Sequence, residues 1–174
     1  LGSHVLNLIH YFGGTPKNCS ARMFQNGKPV TAADVKEGSE GLGPLASNEL
    51  HARYEMERGF IAYFDSIAND TTQNHGFGLH IIGSKGIIAI RNDRHPLAHL
   101  VPGNPFGPTA ESRPWMPFNT PGPGKDEPDM KAIDELVHHV TAAKDLVSAI
   151  RKDRAPLCNV HEGAMTVEMI CGVF

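Results

Sequence analysis

Cysteine is scarce and poorly spaced for any framework. Cys19, Cys158 and Cys171 are the only three in 174 residues, an odd number with no pair at metal-ligand spacing. No disulfide scaffold is implied, and the expectation is buried or half-buried free thiols. Basic runs are missing too. No stretch of Lys or Arg exceeds two residues, and 16 basic against 19 acidic side chains leave a formal net charge of -3. A phosphate backbone needs a concentrated basic face, so nucleic acid is not an expected partner. No apolar run approaches the ~20 residues of a membrane span, so no membrane partner is expected either. Gly-x-Gly-x-x-Gly, the Walker loop and the Gly-x-Ser-x-Gly elbow do not occur. Each of those needs its glycines at fixed offsets for a backbone to approach phosphate or to expose a nucleophile. Internal repeats are also lacking. What remains is a chain of single-domain length, able to bury roughly 70% of its unfolded surface without staples.

The first fourteen residues carry the strongest local signal. Gly2 to Phe12 reads as an amphipathic helix, with Val5, Leu8, Ile9 and Phe12 on one face and His4 and Asn7 on another. Gly13-Gly14 closes it, because glycine adopts the left-handed conformation of a helix end. With no leading Met or strand, the expectation is a fragment of a longer protein.

Strands follow. Pro16 to Phe24 reads as the first, then a Gly-, Ser- and Pro-containing surface excursion runs from Asn26 to Asn48. Leu50 to Glu57 alternates: Leu50, Ala52, Tyr54 and Met56 point one way, and His51, Arg53, Glu55 and Glu57 the other. The polar side is either solvated or meets a partner. Arg58-Gly59 turns the chain back through Phe60 to Phe64 as a hairpin. A second hairpin joins Phe77–Ile82 to Ile87–Arg91 through Gly83-Ser-Lys-Gly86, read as a tight turn and not a phosphate loop, since it opens no helix. Pro96 to Val101 is expected as an edge strand, because proline cannot donate a ladder bond. Pro102 to Pro128, with Trp115 in its middle, is expected to be a long loop or a linker.

The last third is helical. Pro128 fits a first turn, and Ile133, Leu136, Val137, Val140, Ala143, Val147 and Ile150 keep helical spacing, with a break placed near His138–Thr141. Arg154-Ala-Pro156 stops the run. Asn159 and Glu162 form a capping box for a final helix, whose buried stripe is expected to be Val160, Ala164, Val167 and Ile170/Cys171. The fold class is therefore α+β: a mainly antiparallel, open-faced sheet with helices packed on one face.

His4 is the sharpest chemical candidate. Helical spacing brings Asn7 and then Tyr11 within a turn of it. Imidazole, carboxamide and phenol can together hold a hydroxylated ligand and move a proton; an ordinary surface histidine is the competing reading. His138-His139, His95 with His99, and His75 with His80 raise a metal question. No set has a third ligand on a defined element, so no metal is expected.

Three stretches together resemble the glucose–fructose oxidoreductase and inositol dehydrogenase (Gfo/Idh/MocA) family. Leu1-Gly-Ser-His-Val-Leu-Asn-Leu is similar to the family's Asp-x-Gly-x-His-x-x-Asp segment. Phe77 to Ile90, with its Gly-Ser-Lys-Gly turn, is similar to the central hairpin. Leu146 to Pro156 followed by Glu162 to Ile170 is similar to the closing helices. The resemblance implies a two-domain parent in which residues 1–174 form the C-terminal substrate-binding and oligomerisation domain, and an N-terminal Rossmann domain, absent here, holds NAD or NADP. It implies that His4 is the active-site histidine, that Asn7 stands where many members have Asp, and that the Asp four residues before His4 precedes Leu1. The implied chemistry is oxidation of a carbinol with loss of its hydroxyl proton.

The resulting expectation is a domain of an NAD(P)-dependent oxidoreductase acting on a sugar or polyol, with catalytic His4 and substrate-binding His4, Asn7 and Tyr11. Alone, the chain is expected to bind no dinucleotide, to be inactive, and to self-associate through the open sheet face. The alternative is a non-enzymatic binding or assembly module of the same fold, with a metal-dependent hydrolase a distant third. A cytoplasmic location is the expectation, with export as its alternative.

Overall fold

The computed structural model describes residues 2–38, 41, 43–68, 77–91 and 95–174. Leu1 of the first motif and His75 of one histidine pair lie outside these. The chain divides into two compact units, Leu1–Gln73 with Val160–Phe174, and Asn74–Asn159. Each contains antiparallel strands and helices, so the class is α+β.

The first unit opens on helix α1, Gly2–Gly13, which buries Val5, Leu6, Ile9, His10 and Gly13. Gly14 ends it at φ +74° and donates its N–H to the His10 carbonyl at 2.8 Å, as an αL cap requires. Gly13 has to be small, since a Cβ there would sit 2.7 Å from Met56 Cε. Strands β1 (Pro16–Gln25), β2 (Lys28–Pro29), β5 (Glu49–Met56) and β6 (Ile61–Ile67) form one sheet in the order β2-β1-β5-β6. Asn26 and Gly27 both have positive φ between β1 and β2, the geometry of a two-residue hairpin turn. The excursion from Asn26 to Asn48 is thus partly structured. Besides β2 it holds a 3₁₀ turn at Ala32–Asp34 and a two-stranded ribbon, β3 (Lys36–Glu37) with β4 (Pro44–Leu45).

Alternation in β5 divides the sheet into two faces. Ala52, Tyr54 and Met56, with Phe64 of β6, are buried. They meet α1 and the final helix α4, Val160–Cys171. Phe64 lies against Gly2, and the Tyr54 hydroxyl donates to the Met169 carbonyl at 2.7 Å. The buried side of α4 is Thr166 and Met169, not the expected stripe: Val160 is 77% exposed, and Val167 and Ile170 also face out. α4 carries apolar residues on both sides, and the buried side is that of Met169, whose carbonyl accepts from Tyr54. Cys19 is half-buried beside Gly172, whereas Cys158 and Cys171 are exposed, so the expectation of sheltered thiols holds for one of three.

In the second unit, β7 (Gly78–Gly83), β8 (Gly86–Arg91), β9 (Ala98–Pro102), β10 (Met116–Asn119) and β11 (Gly122–Pro123) form a sheet in the order β11-β10-β9-β8-β7. Ser84-Lys85 is the tight turn between β7 and β8. β9 is central, not an edge. Pro96 precedes it in a cis bend with His95 and so removes no ladder bond. Its second neighbour is β10, from the stretch expected to be a loop; Met116 pairs with Leu100 and Pro117 with His99.

Asp129 caps helix α2 (Met130–Val137), its carboxylate accepting from the Ala132 N–H at 2.9 Å. Pro128 therefore sits before the helix. α2 breaks at His138-His139, where His139 takes φ +62°, and α3 (Val140–Arg151) follows. The expected break is there, but the helical apolar residues are largely exposed, Ile150 by 73%. No described helix is long and apolar enough to cross a membrane.

Candidate active site on helix α1

α1 presents two polar surfaces of different character. On the outer one, His4 and Tyr11 are exposed, Tyr11 by 67% with its ring edge-on to Phe12. His4 makes no side-chain hydrogen bond to a described residue. Asn7 lies between them along the helix, half-buried, and turns its amide nitrogen inward. The structure therefore keeps His4, Asn7 and Tyr11 on neighbouring turns of one helix without bonding them to each other.

The inner surface holds a network that sequence reasoning missed. Asn7 Nδ2 lies 3.1 Å from His10 Nε2 and donates to Thr166 Oγ1 at 3.5 Å. His10 Nε2 is 3.0 Å from Thr166 Oγ1, and His10 Nδ1 is 3.3 Å from Glu162 Oε2. Thr166 Oγ1 in turn donates to the Glu162 carbonyl at 3.0 Å. His10 is only 6% exposed, and an unpartnered buried polar group costs about 1–3 kcal/mol. Partners on α4 remove that cost and pin α1 to α4. The sequence signal was the spacing of Asn7 and His10 at i, i+3, with Glu162 and Thr166 at i, i+4 on a second helix.

The sheet of the first unit has its own polar face. Asn18 donates to Glu55 at 2.9 Å, Arg53 pairs with Glu55 at 2.8 Å, and His51 sits between Glu49 at 2.9 Å and Asp65 at 2.5 Å. Hydrogen bonds to Glu49 first, then to Asp65, push the His51 pKa up. A raised folded pKa stabilises the fold fully below the unfolded value of about 6.5, and that contribution fades as pH rises through the higher folded value. Thermal unfolding of wild type and His51→Ala should therefore differ most in mildly acidic buffer and converge in alkaline buffer. A gap that widens with pH would contradict this assignment.

The second unit assembles histidines in an unexpected pairing. His80 on β7 and His99 on β9 occupy one cross-strand row either side of Ala89. The His80 and Trp115 ring centroids are 5.9 Å apart. With Gly78 and Arg91 they line an open concavity of about 660 Å³. His80 thus shares a cross-strand row with His99, while His75 of the expected His75–His80 pair lies outside the described residues. Among the described residues no group of three His, Cys, Asp or Glu side chains is arranged to hold a metal ion.

A solved dehydrogenase has a similar fold. It is the WlbA dehydrogenase of Bordetella pertussis, whose structure contains NADH and UDP-GlcNAcA, at a TM-score of 0.54 and 14% identity. The alignment covers 98% of this chain and 42% of the WlbA chain. The sequence itself matches no protein-family profile and no curated protein sequence. The likeness to WlbA is therefore one of fold.

Among the described residues all strand pairs are antiparallel. A Rossmann pyrophosphate site needs a parallel strand–glycine loop–helix unit with the helix N-terminus aimed at phosphate, and the described strands do not build that unit.

Proposed function

We propose that this chain is the substrate-side, C-terminal domain of an NAD(P)-dependent oxidoreductase acting on a sugar, polyol or related hydroxylated compound. The observation that carries the reading is the fold likeness to WlbA over nearly the whole chain, joined to an α1 that displays an exposed His4. A separate Rossmann domain holds the dinucleotide, which supplies the redox chemistry. This chain's residues bind and orient the substrate. Asn7 and Tyr11 offer an amide and a phenol to its hydroxyls. An imidazole nitrogen of His4 holds the proton of the reacting hydroxyl, a role that requires hydrogen-bond reach to that oxygen.

The open face of the first sheet is the proposed self-association surface. Exposed Ile61, Tyr63 and Ile67 stand on it among the paired charges. A second reading, a non-enzymatic assembly module of the same fold, draws on the inward turn of the Asn7 amide nitrogen. The two readings part on whether His4 matters to turnover. The division of labour between domains is tested by titrating this chain with NADH, for which no binding is expected.

A further inference from the structure

The concavity on the second sheet carries a recognition pattern of its own. We propose that it binds a small aromatic acid, a flat ring bearing one carboxylate, held by Arg91, His80 and His99 against the rings of Trp115 and Phe77. Every residue involved belongs to the second unit, and none of it depends on the reading of α1 above.

The strand sequence makes the space. Between Gly86 and Arg91, β8 carries Ile87, Ile88, Ala89 and Ile90, so Ala89 is its one small side chain. Ala89 pairs with His80 on one side and His99 on the other, and it is the buried floor of the concavity. Neighbouring strands lie about 4.8 Å apart, so the two histidine backbones stand about 10 Å apart with a single methyl group between them. Arg91 is two residues along β8, about 7 Å from Ala89 and on the same face. Its partner on β7 is Gly78, which puts no side chain beside it. That position has to stay small, because a Cβ on Gly78 would collide with the Ile90 carbonyl oxygen.

The lining is flat and rich in N–H donors. Its described residues include Arg91, His80 and His99 and no Asp or Glu, so nothing among them repels an anion. A neutral imidazole keeps one N–H whichever nitrogen holds it, so each histidine can donate to a carboxylate. Arg91 keeps a contact within the chain. Its guanidinium has five N–H donors, however, and takes a carboxylate in a two-bond fork.

The rings select the rest of the ligand. Trp115 is 45% exposed, and its ring lies 5.9 Å from that of His80, tilted by 39°. Phe77 adds a third ring to the wall. Aromatic pairs at such centroid separations gain beyond the area they bury, because the face of one ring is negative and the edge of the other positive. A saturated ring makes no such gain. A volume of about 660 Å³ has room for an acid of one or two rings.

Trp115 is the single tryptophan of the 174-residue chain, so its indole N–H gives one cross-peak in a proton–nitrogen correlation spectrum, a reporter inside the site. Titration with benzoate should shift that peak saturably, with a Kd of about 1 mM or tighter. Benzyl alcohol keeps the ring without the charge, whereas acetate and cyclohexanecarboxylate keep the charge without the aromatic ring. Each should bind about tenfold more weakly than benzoate or worse, since each forfeits either the charge-assisted bonds or the ring contacts. Arg91→Gln removes the charged fork at similar length and should weaken benzoate by about tenfold. Should Arg91→Gln lose the fold, the ligand series on the wild type decides alone. Absence of a saturable shift up to about 20 mM benzoate, well above a millimolar Kd, would overturn the proposal. So would an equal response to acetate, cyclohexanecarboxylate or benzyl alcohol, or unchanged benzoate affinity in folded Arg91→Gln.

Discussion

On the proposed oxidoreductase reading, His4→Ala in the full-length protein is expected to lower kcat/KM by about 10²–10⁴-fold, the usual loss when a positioned acid–base group is removed. That corresponds to about 3–5 kcal/mol of transition-state stabilisation. The effect should fall mainly on kcat if His4 holds the proton that leaves during the reaction, because such a contact strengthens on the way to the transition state. Stability should barely move. His4 is exposed and bonded to no described side chain, and surface changes of that kind are usually within about 0.5 kcal/mol. Steady-state kinetics beside a urea melt separates the two. A variant with full kcat/KM would remove His4 from the reaction and favour the assembly module.

The largest expected stability loss lies elsewhere, at Tyr54. This side chain is 1% exposed, spans the interface of β5 with α4, and donates to the Met169 carbonyl at 2.7 Å. Burial pushes its phenol pKa well above the ordinary tyrosine range, so the hydroxyl stays a donor at any working pH. Tyr54→Ala should cost about 3–5 kcal/mol through lost packing and the cavity it leaves, against a total of about 5–15 kcal/mol for a domain. Tyr54→Phe keeps the ring and should cost about 1–2 kcal/mol, for a carbonyl left without its donor. Urea unfolding midpoints give both. A Phe variant as unstable as the Ala variant would mean that the hydrogen bond, not the ring, holds α4 to the sheet.

The local parts of this fold were legible in the sequence, and the reason is periodicity. Ala52, Tyr54 and Met56 alternate with His51, Arg53 and Glu55 because one face of β5 is buried and the other open. Gly83-Ser84-Lys85-Gly86 and the Gly13-Gly14 stop carry their geometry in two to four residues. What failed was non-local. Pro117 disguises a four-residue strand held by pairing with β9 and with the two-residue β11, so both the central position of β9 and the existence of β10 were hidden. On α4, apolar spacing marks Val160, Ala164 and Val167 as a stripe, but periodicity cannot say which side meets the core. Tyr54 and His10 decide that, and they choose the side of Thr166 and Met169.

The candidate site divides the same way. His4, Asn7 and Tyr11 follow from helical spacing alone, whereas Thr166, which meets His10, comes from a helix more than 150 residues away. A buried histidine has no signature until its partners are in place.

The central claim is that this chain builds the substrate wall of an oxidoreductase and leaves the dinucleotide to another domain. Calorimetric titration of the chain with NADH tests it most directly. The account predicts no binding heat at NADH concentrations that saturate a dinucleotide-binding dehydrogenase; a one-to-one complex of micromolar affinity would contradict it.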